Sequence, residues 1–179
     1  MLTESDARLH KTGLWNGFAG EPVKTPISVA ALAAFVGAAR RNSYADKSAA
    51  KAPSTRLRSF DYRFERDDLA YHDTYFGIRD FVGKEIVSRH EEPVWGMNYF
   101  GIILTAGAGE REVYDFLREA LMQDCTGIEP ALGPSLYRRD RWAYDNAVDG
   151  TLDDFNGTEL ISCGSELVYR CRYHGGWIS

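Results

Sequence analysis

The side chains that could do chemistry concentrate in the segment 71–101, which is rich in aromatic residues and carboxylates. A four-residue turn at 77–80 would place His72 opposite Glu85 on neighbouring strands. A carboxylate beside an imidazole raises the imidazole pKa, and such a pair could transfer protons. The same contact is also typical of a structural ion pair, since no nucleophile or metal motif accompanies it. An enzyme that uses His72 and Glu85 as an acid–base pair is therefore one alternative.

A second set of residues is predicted to form an aromatic surface with one carboxylate. If the turns at 77–80 and 89–92 each contain four residues, alternation along the strands brings six side chains to one face of a sheet. They are Tyr71, Asp73, Tyr75, Trp95, Met97 and Tyr99. Such a surface suits a small organic cation or a polar aromatic ligand. It equally suits a core face beneath a helix, where hydroxyl and indole N–H groups find ordinary partners.

Trp95 has the largest aromatic ring of this set. The two four-residue turns would place its indole beside Tyr75 or Tyr99 and near Asp73, in the best pocket of the domain. The alternative is that Trp95 is an ordinary core residue that serves stability alone.

Strands must position these residues, and the alternation of apolar with polar residues predicts about six or seven of them. The strand signals cover 59–65, 69–76, 81–88, 94–103, 142–148, 157–163 and 166–174. The connections between consecutive strands in the first half are short, which favours an antiparallel meander.

Two principal helices are predicted to pack on this sheet. The first opens at Thr25-Pro26 and carries an apolar stripe from Val29 to Ala39, with Asn42 as a stop signal. The second covers about 110–124, where apolar residues recur at helical spacing. Runs of strands with a few helices indicate the α+β class, an antiparallel sheet with two helices on it.

The 179 residues are most simply an N-terminal extension over 1–27 followed by one α+β domain over 28–179. A net charge of −5 argues against nucleic acid as a partner of this chain alone. No apolar run is long enough for a membrane span, and the N-terminus lacks the apolar region of a secretory signal, so a cytoplasmic protein is expected.

No metal or cofactor is predicted. The histidines are scattered without an HExxH motif, and the three cysteines form no CxxC pair.

Five stretches of the chain resemble a bacterial domain family of unknown function. They are DTYFG at 73–77, FVGKEIV at 81–87, PVWGMNYFG at 93–101, FNGTELI at 155–161 and YRCRYHGG at 169–176. Domains of this family often follow a helix-turn-helix module in XRE-type transcriptional regulators. The resemblance covers roughly residues 28–179 and implies an effector-type or stand-alone domain without established chemistry. Residues 1–27 are too short and too rich in glycine for a helix-turn-helix, so DNA binding is not implied for this chain.

The leading hypothesis is a non-enzymatic domain that binds a small molecule or regulates, through the aromatic and acidic sheet face. The acid–base enzyme is one alternative. A protein-interaction module, with a possible homodimer through an apolar patch or a free strand edge, is the other.

Overall fold

The computed structural model describes residues 27–104, 109–123 and 133–179. The predicted N-terminal extension over 1–27 lies outside these ranges except for Ile27, and it stays a prediction. Within them the chain forms two helices and eight strands. In chain order the elements are α1 (Val29–Arg41), β1 (Phe60–Arg66), β2 (Leu69–Gly77), β3 (Asp80–Arg89), β4 (Glu92–Ile103), α2 (Glu110–Leu121), β5 (Leu136–Arg139), β6 (Trp142–Thr151), β7 (Asp154–Cys163) and β8 (Glu166–Trp177).

The strands form one antiparallel sheet in the order β1-β2-β3-β4-β8-β7-β6-β5. It consists of two four-stranded meanders that join where β4 pairs with β8. This architecture is consistent with the predicted α+β class, but the strand count is eight rather than six or seven. The sequence did not indicate β5, because four residues are too few for alternation to show and β6 supplies their hydrogen-bonding partners.

Helix α1 packs its apolar stripe against the sheet. Its first turn is capped by Ser28, whose hydroxyl accepts a hydrogen bond from the Ala31 N–H at 3.2 Å. Its buried side chains form a cluster with residues of the first meander, among them Tyr71 and Val87. Full burial of each large apolar side chain contributes roughly 1.5–3 kcal/mol. The helix is therefore fixed on the sheet by its stripe.

Helix α2 builds a second cluster beside the first. Its residues Val113, Phe116, Leu117 and Ala120 are buried against side chains of the second meander. Both helices lie on the sheet face that carries Tyr71 and Asp73, which we call the inner face; the opposite side is the outer face.

The register of β3 differs by one residue from the predicted one. Gly77 pairs with Phe81, so the first turn has three residues, and His90 and Glu91 alone form the second turn with positive φ angles. A bulge in the β3–β4 pairing follows this second turn. The two deviations compensate each other, so the side chains of β2 and β4 share a face as predicted. Strand β3 between them is shifted by one residue, so Glu85, and not Lys84, lies opposite Asp73.

Candidate ligand-binding site

A cavity of about 450 Å³ lies between the inner face and the two helices. Nine of its described lining residues are aromatic, and its floor is formed by the inner faces of β2, β3, β4, β7 and β8. The aromatic lining residues are Tyr44, Phe60, Tyr71, Tyr75, Phe81, Tyr99, Tyr114, Tyr169 and Tyr173. At the rim Ile78 is 70% exposed, so the opening lies near the turn between β2 and β3.

The floor has an acidic centre on β2 and β3. Asp73, Glu85 and Met97 lie in one row across three neighbouring strands. The Tyr99 hydroxyl donates a hydrogen bond to Asp73 Oδ1 at 2.6 Å. To reach it, the Tyr99 ring passes over Gly83, where an added Cβ would lie 2.4 Å from the ring carbon Cζ. Glycine at position 83 thus permits the contact.

Burial raises the pKa of Asp73 to about 8, and the neighbouring Glu85 carboxylate adds to this rise. The hydrogen bond from Tyr99 and the positive charge of Arg40 act in the opposite direction. Asp73 is therefore mostly protonated at neutral pH, although its side chain lines a cavity.

Arg40 in the last turn of α1 compensates the charge of Glu85. Its Nη2 donates to Glu85 Oε1 at 2.8 Å, and its Nε donates to Oε2 at 3.0 Å. Arg40 Nη2 also lies 3.3 Å from Met97 Sδ. Both partners of the ion pair are about nine-tenths buried. The pair joins α1 to the centre of the sheet and gives the cavity its buried cation.

Glu159 on β7 is the third buried carboxylate of the lining. It accepts hydrogen bonds from Tyr144 at 2.8 Å and from Tyr169 at 3.4 Å. Burial raises its pKa to about 7; the two tyrosines and Arg40 oppose this rise, whereas Glu85 adds to it. Near neutral pH this side chain is balanced between its two protonation states.

The Tyr71 hydroxyl is a buried polar group in the cavity wall. The residue is 1% exposed, and its Oη has no hydrogen bond of normal geometry among the described residues. Burial raises its pKa well above the ordinary value, and the nearby Glu85 and Asp73 carboxylates contribute. Tyr71 therefore stays a neutral phenol with hydrogen-bonding capacity toward the cavity.

The six residues of the predicted aromatic surface all lie on the inner face, and five of them line the cavity: Tyr71, Asp73, Tyr75, Met97 and Tyr99. Trp95 does not, so its predicted place in the pocket is wrong. Its ring stacks on Phe155 at 5.8 Å, and its indole N–H donates to the Leu152 carbonyl at 2.9 Å. A role of the six residues in ligand binding stays a prediction.

His72 and Glu85 are not brought together. The β2–β3 register places His72 opposite Ile86, and strand alternation directs it to the outer face, away from Glu85. Its Nε2 lies 2.7 Å from Asp61 Oδ1. The acid–base interpretation thus loses the contact on which it depended.

Asp61 has a structural role on the outer face. Although burial opposes it, hydrogen bonds from Ser59, Thr55 and His72 hold the pKa of Asp61 well below its ordinary value. The carboxylate ties the segment before β1 to the sheet through Thr55 and Ser59. This arrangement orders a loop and leaves no unengaged carboxylate oxygen toward solvent, since the Asp61 side chain is fully buried.

Several lining residues were not singled out from the sequence. Arg40 carried a signal only as a cation in the last turn of a helix, and Glu159 and Tyr173 belonged to an ordinary alternating hairpin. Because these residues are far from the segment 71–101 along the chain, no local pattern indicated that they line the same cavity. The pairing of β4 with β8 brings Tyr173 directly opposite Tyr99.

No group of three or more His, Cys, Asp or Glu side chains is arranged to hold a metal ion in the part of the chain that the structure describes. None of the helices in the described ranges is long and apolar enough to cross a membrane.

The fold and the cavity together define an α+β domain whose single sheet and two helices border a cavity with many aromatic side chains and an acidic floor. The chain belongs to the family described as Domain of unknown function (DUF5680), whose model matches residues 73–178. The match begins at Asp73 and includes Glu85 and Glu159, whereas Arg40 precedes it. No curated protein and no solved structure matches the chain.

Proposed function

We propose that this protein is a non-enzymatic domain that binds a small organic molecule in the cavity between the inner face and the helices. The observation that supports the proposal is the cavity itself, about 450 Å³ in volume and lined by aromatic rings around a few polar groups. Typical ligand pockets span about 300–1,000 Å³ and combine apolar walls with a small number of polar side chains.

The physical cost of this arrangement favours binding over a purely structural role. Protein interiors are normally packed to the density of organic crystals, so the side chains that line a cavity of this size forgo packing contacts. Burial of Asp73 and Glu159 adds a cost because it disfavours their charged forms. The buried Tyr71 hydroxyl, which has no hydrogen bond of normal geometry among the described residues, adds another. Costs of this kind concentrate at functional sites.

The regulatory part of the proposal comes from the resemblance to domains that follow helix-turn-helix modules in bacterial XRE-type regulators. In such an arrangement the domain would sense a metabolite in the cytoplasm and transmit its presence to a partner. Helix α1 offers a physical route, because Arg40 ties it to the cavity floor through Glu85.

A thermal-shift screen of purified protein against a metabolite and drug-like library tests the proposal. A compound present at 100 times its Kd stabilises the folded state by about 2.7 kcal/mol. Ala45 is buried in the cavity wall, so the phenyl ring of Ala45→Phe should occupy the cavity and abolish the shift. Ala147→Phe, at an exposed position on β6, is the matched control. The absence of any shift across a broad library would refute the proposal.

A protein-interaction role, including a homodimer, is the second candidate. Val82 and Phe100 are neighbours on the outer face and are 50% and 52% exposed. An exposed apolar pair on a sheet surface is a possible contact for a second copy. Light scattering over a wide concentration range should then show a dimer that Phe100→Lys disrupts. A strict monomer at all concentrations would exclude the homodimer.

A further inference from the structure

We infer that the molecule bound in this cavity is an organic cation, in which an aromatic or apolar body carries a protonated amine that Asp73 binds. The inference rests on the proposed function, because it names the chemical class of ligand for the same cavity. It depends on three features of the lining: the balance of buried charges, the surroundings of Asp73 and the aromatic walls.

Buried acids outnumber buried bases on the floor. Asp73, Glu85 and Glu159 are all buried, whereas Arg40 is the only buried cation among the described lining residues. Arg40 donates to both carboxylate oxygens of Glu85, and this pair is neutral as a unit. Asp73 and Glu159 accept hydrogen bonds from tyrosines, and neither has a salt bridge with another described residue. Their charges, when formed, lack a matched cation.

The surroundings of Asp73 favour an ammonium group in particular. Glu85 stands directly opposite Asp73 on the next strand, so ionisation of Asp73 would place two carboxylates opposite each other, and like charges in that position repel. A cation beside Asp73 would remove this repulsion. An ammonium has three hydrogens to donate. The Asp73 carboxylate accepts hydrogen bonds, and so does the Tyr71 hydroxyl, which has no hydrogen bond of normal geometry among the described residues.

Two cationic side chains already lie over aromatic rings of the lining. The Arg118 guanidinium lies over the Tyr44 ring at 4.8 Å, and the Lys51 ammonium lies over the Phe60 ring at 4.0 Å. Ring faces attract positive charge electrostatically, and more strongly where water is excluded. An aromatic or apolar body can pack between these rings while its amine reaches the floor. An anionic ligand would instead oppose the ionised form of every carboxyl group on the floor, so it should bind more weakly than a cation.

Matched ligands that differ only in the head group test the inference. Phenethylamine, phenethyl alcohol and phenylacetate form one set, and the same three head groups on naphthyl and biphenyl bodies form two more. We expect the amine of each set to bind about tenfold or more tightly than its alcohol, and the carboxylate to bind weakest. Isothermal titration calorimetry at pH 7 measures the Kd of each compound in the three sets.

Two variants locate the amine. Asp73→Asn keeps the shape of the side chain and removes its charge, so the preference for amine over alcohol should fall to about one while the alcohol still binds. Glu159→Gln should reduce the preference only in part, because this variant keeps the Asp73 carboxylate that binds the amine. Asp145→Asn, at an exposed position on β6, is the matched control and should retain the full preference.

The outcomes separate the inference from the function on which it rests. Equal binding of amines and alcohols, or tighter binding of carboxylates, would overturn the inference and leave a small-molecule cavity in place. A full amine preference in Asp73→Asn would overturn the assignment to Asp73. If no compound of any head group binds and the library screen is also negative, the proposed function itself fails.

Discussion

At the scale of single residues, Asp73 links the cavity to the pH dependence of stability. Its pKa is raised to about 8 in the folded state, whereas an unfolded aspartate titrates near 4. Between these values the folded state binds the extra proton, so the free energy of unfolding falls as pH rises. The loss approaches about 1.4 kcal/mol per pH unit in the middle of this range and ends above the folded pKa.

Asp73→Asn should remove this contribution, because an amide neither titrates nor requires deprotonation. We expect the variant to be more stable than the parent at pH 8.5, and the two to converge near pH 4. Urea unfolding at a series of pH values measures the difference. Asp145→Asn should show no such change, and a variant that tracks the parent at every pH would contradict the buried, raised-pKa description of Asp73.

Gly83 provides a second prediction at this scale. An alanine Cβ there would lie 2.4 Å from the Tyr99 ring and 2.7 Å from the Thr74 carbonyl oxygen. Gly83→Ala should therefore displace Tyr99 and break its hydrogen bond to Asp73, which destabilises the domain by about 1–3 kcal/mol. Tyr99→Phe is the companion variant, since it removes the hydrogen bond and keeps the ring. A neutral effect of Gly83→Ala on unfolding would show that the ring does not lie over β3.

At the scale of elements, the Arg40–Glu85 pair decides how α1 sits on the sheet. Loss of one member leaves a buried charge unpaired and costs about 3–5 kcal/mol, whereas loss of both costs much less. We therefore expect Arg40→Met and Glu85→Gln to be more destabilising singly than together. A double-mutant cycle by chemical denaturation measures this coupling. Additive effects of the two substitutions would contradict a direct ion pair.

The closing hairpin, β7 with β8, is an integral part of the sheet. Strand β8 pairs with both β4 and β7, and Tyr169 on it is 1% exposed. Truncation of such a buried aromatic side chain costs about 3–5 kcal/mol, by analogy with phenylalanine and tryptophan. Tyr169→Ala should lower the unfolding free energy by that amount. Leu167→Ala, at a residue that is 40% exposed on the same strand, is the mild control. A cooperatively folding protein without residues 165–179 would refute the assignment.

At the scale of the whole molecule, the two core clusters should unfold together. Tyr99 packs against both clusters, and the β4–β8 pairing joins the two meanders along nine residue pairs. Leu32→Ala in one cluster and Leu117→Ala in the other should each cost about 2–5 kcal/mol and shift the same transition. Calorimetry and near-ultraviolet circular dichroism should give coincident midpoints. Two separable transitions would show that the meanders are independent units.

The sequence by itself determined the local features of this protein. Alternation of apolar residues indicated seven of the eight strands, and the stripes of α1 and α2 indicated both helices, because these patterns reflect which side chains must leave water. The same alternation assigned Asp73, Tyr75 and Tyr99 to one face.

Only the tertiary structure decided which charges meet on that face. The predicted His72–Glu85 contact was wrong because the first turn has three residues rather than four, and a change of one residue in register reverses the face of every side chain on β3. Arg40 and Glu159 reach the cavity through long-range packing that no local pattern encodes. Trp95 lies outside the cavity lining, because its indole N–H donates to the Leu152 carbonyl and its ring stacks on Phe155, both far along the chain. Local periodicity is set by the nearest neighbours in the chain, whereas the chemistry of the cavity depends on contacts between segments that only folding brings together.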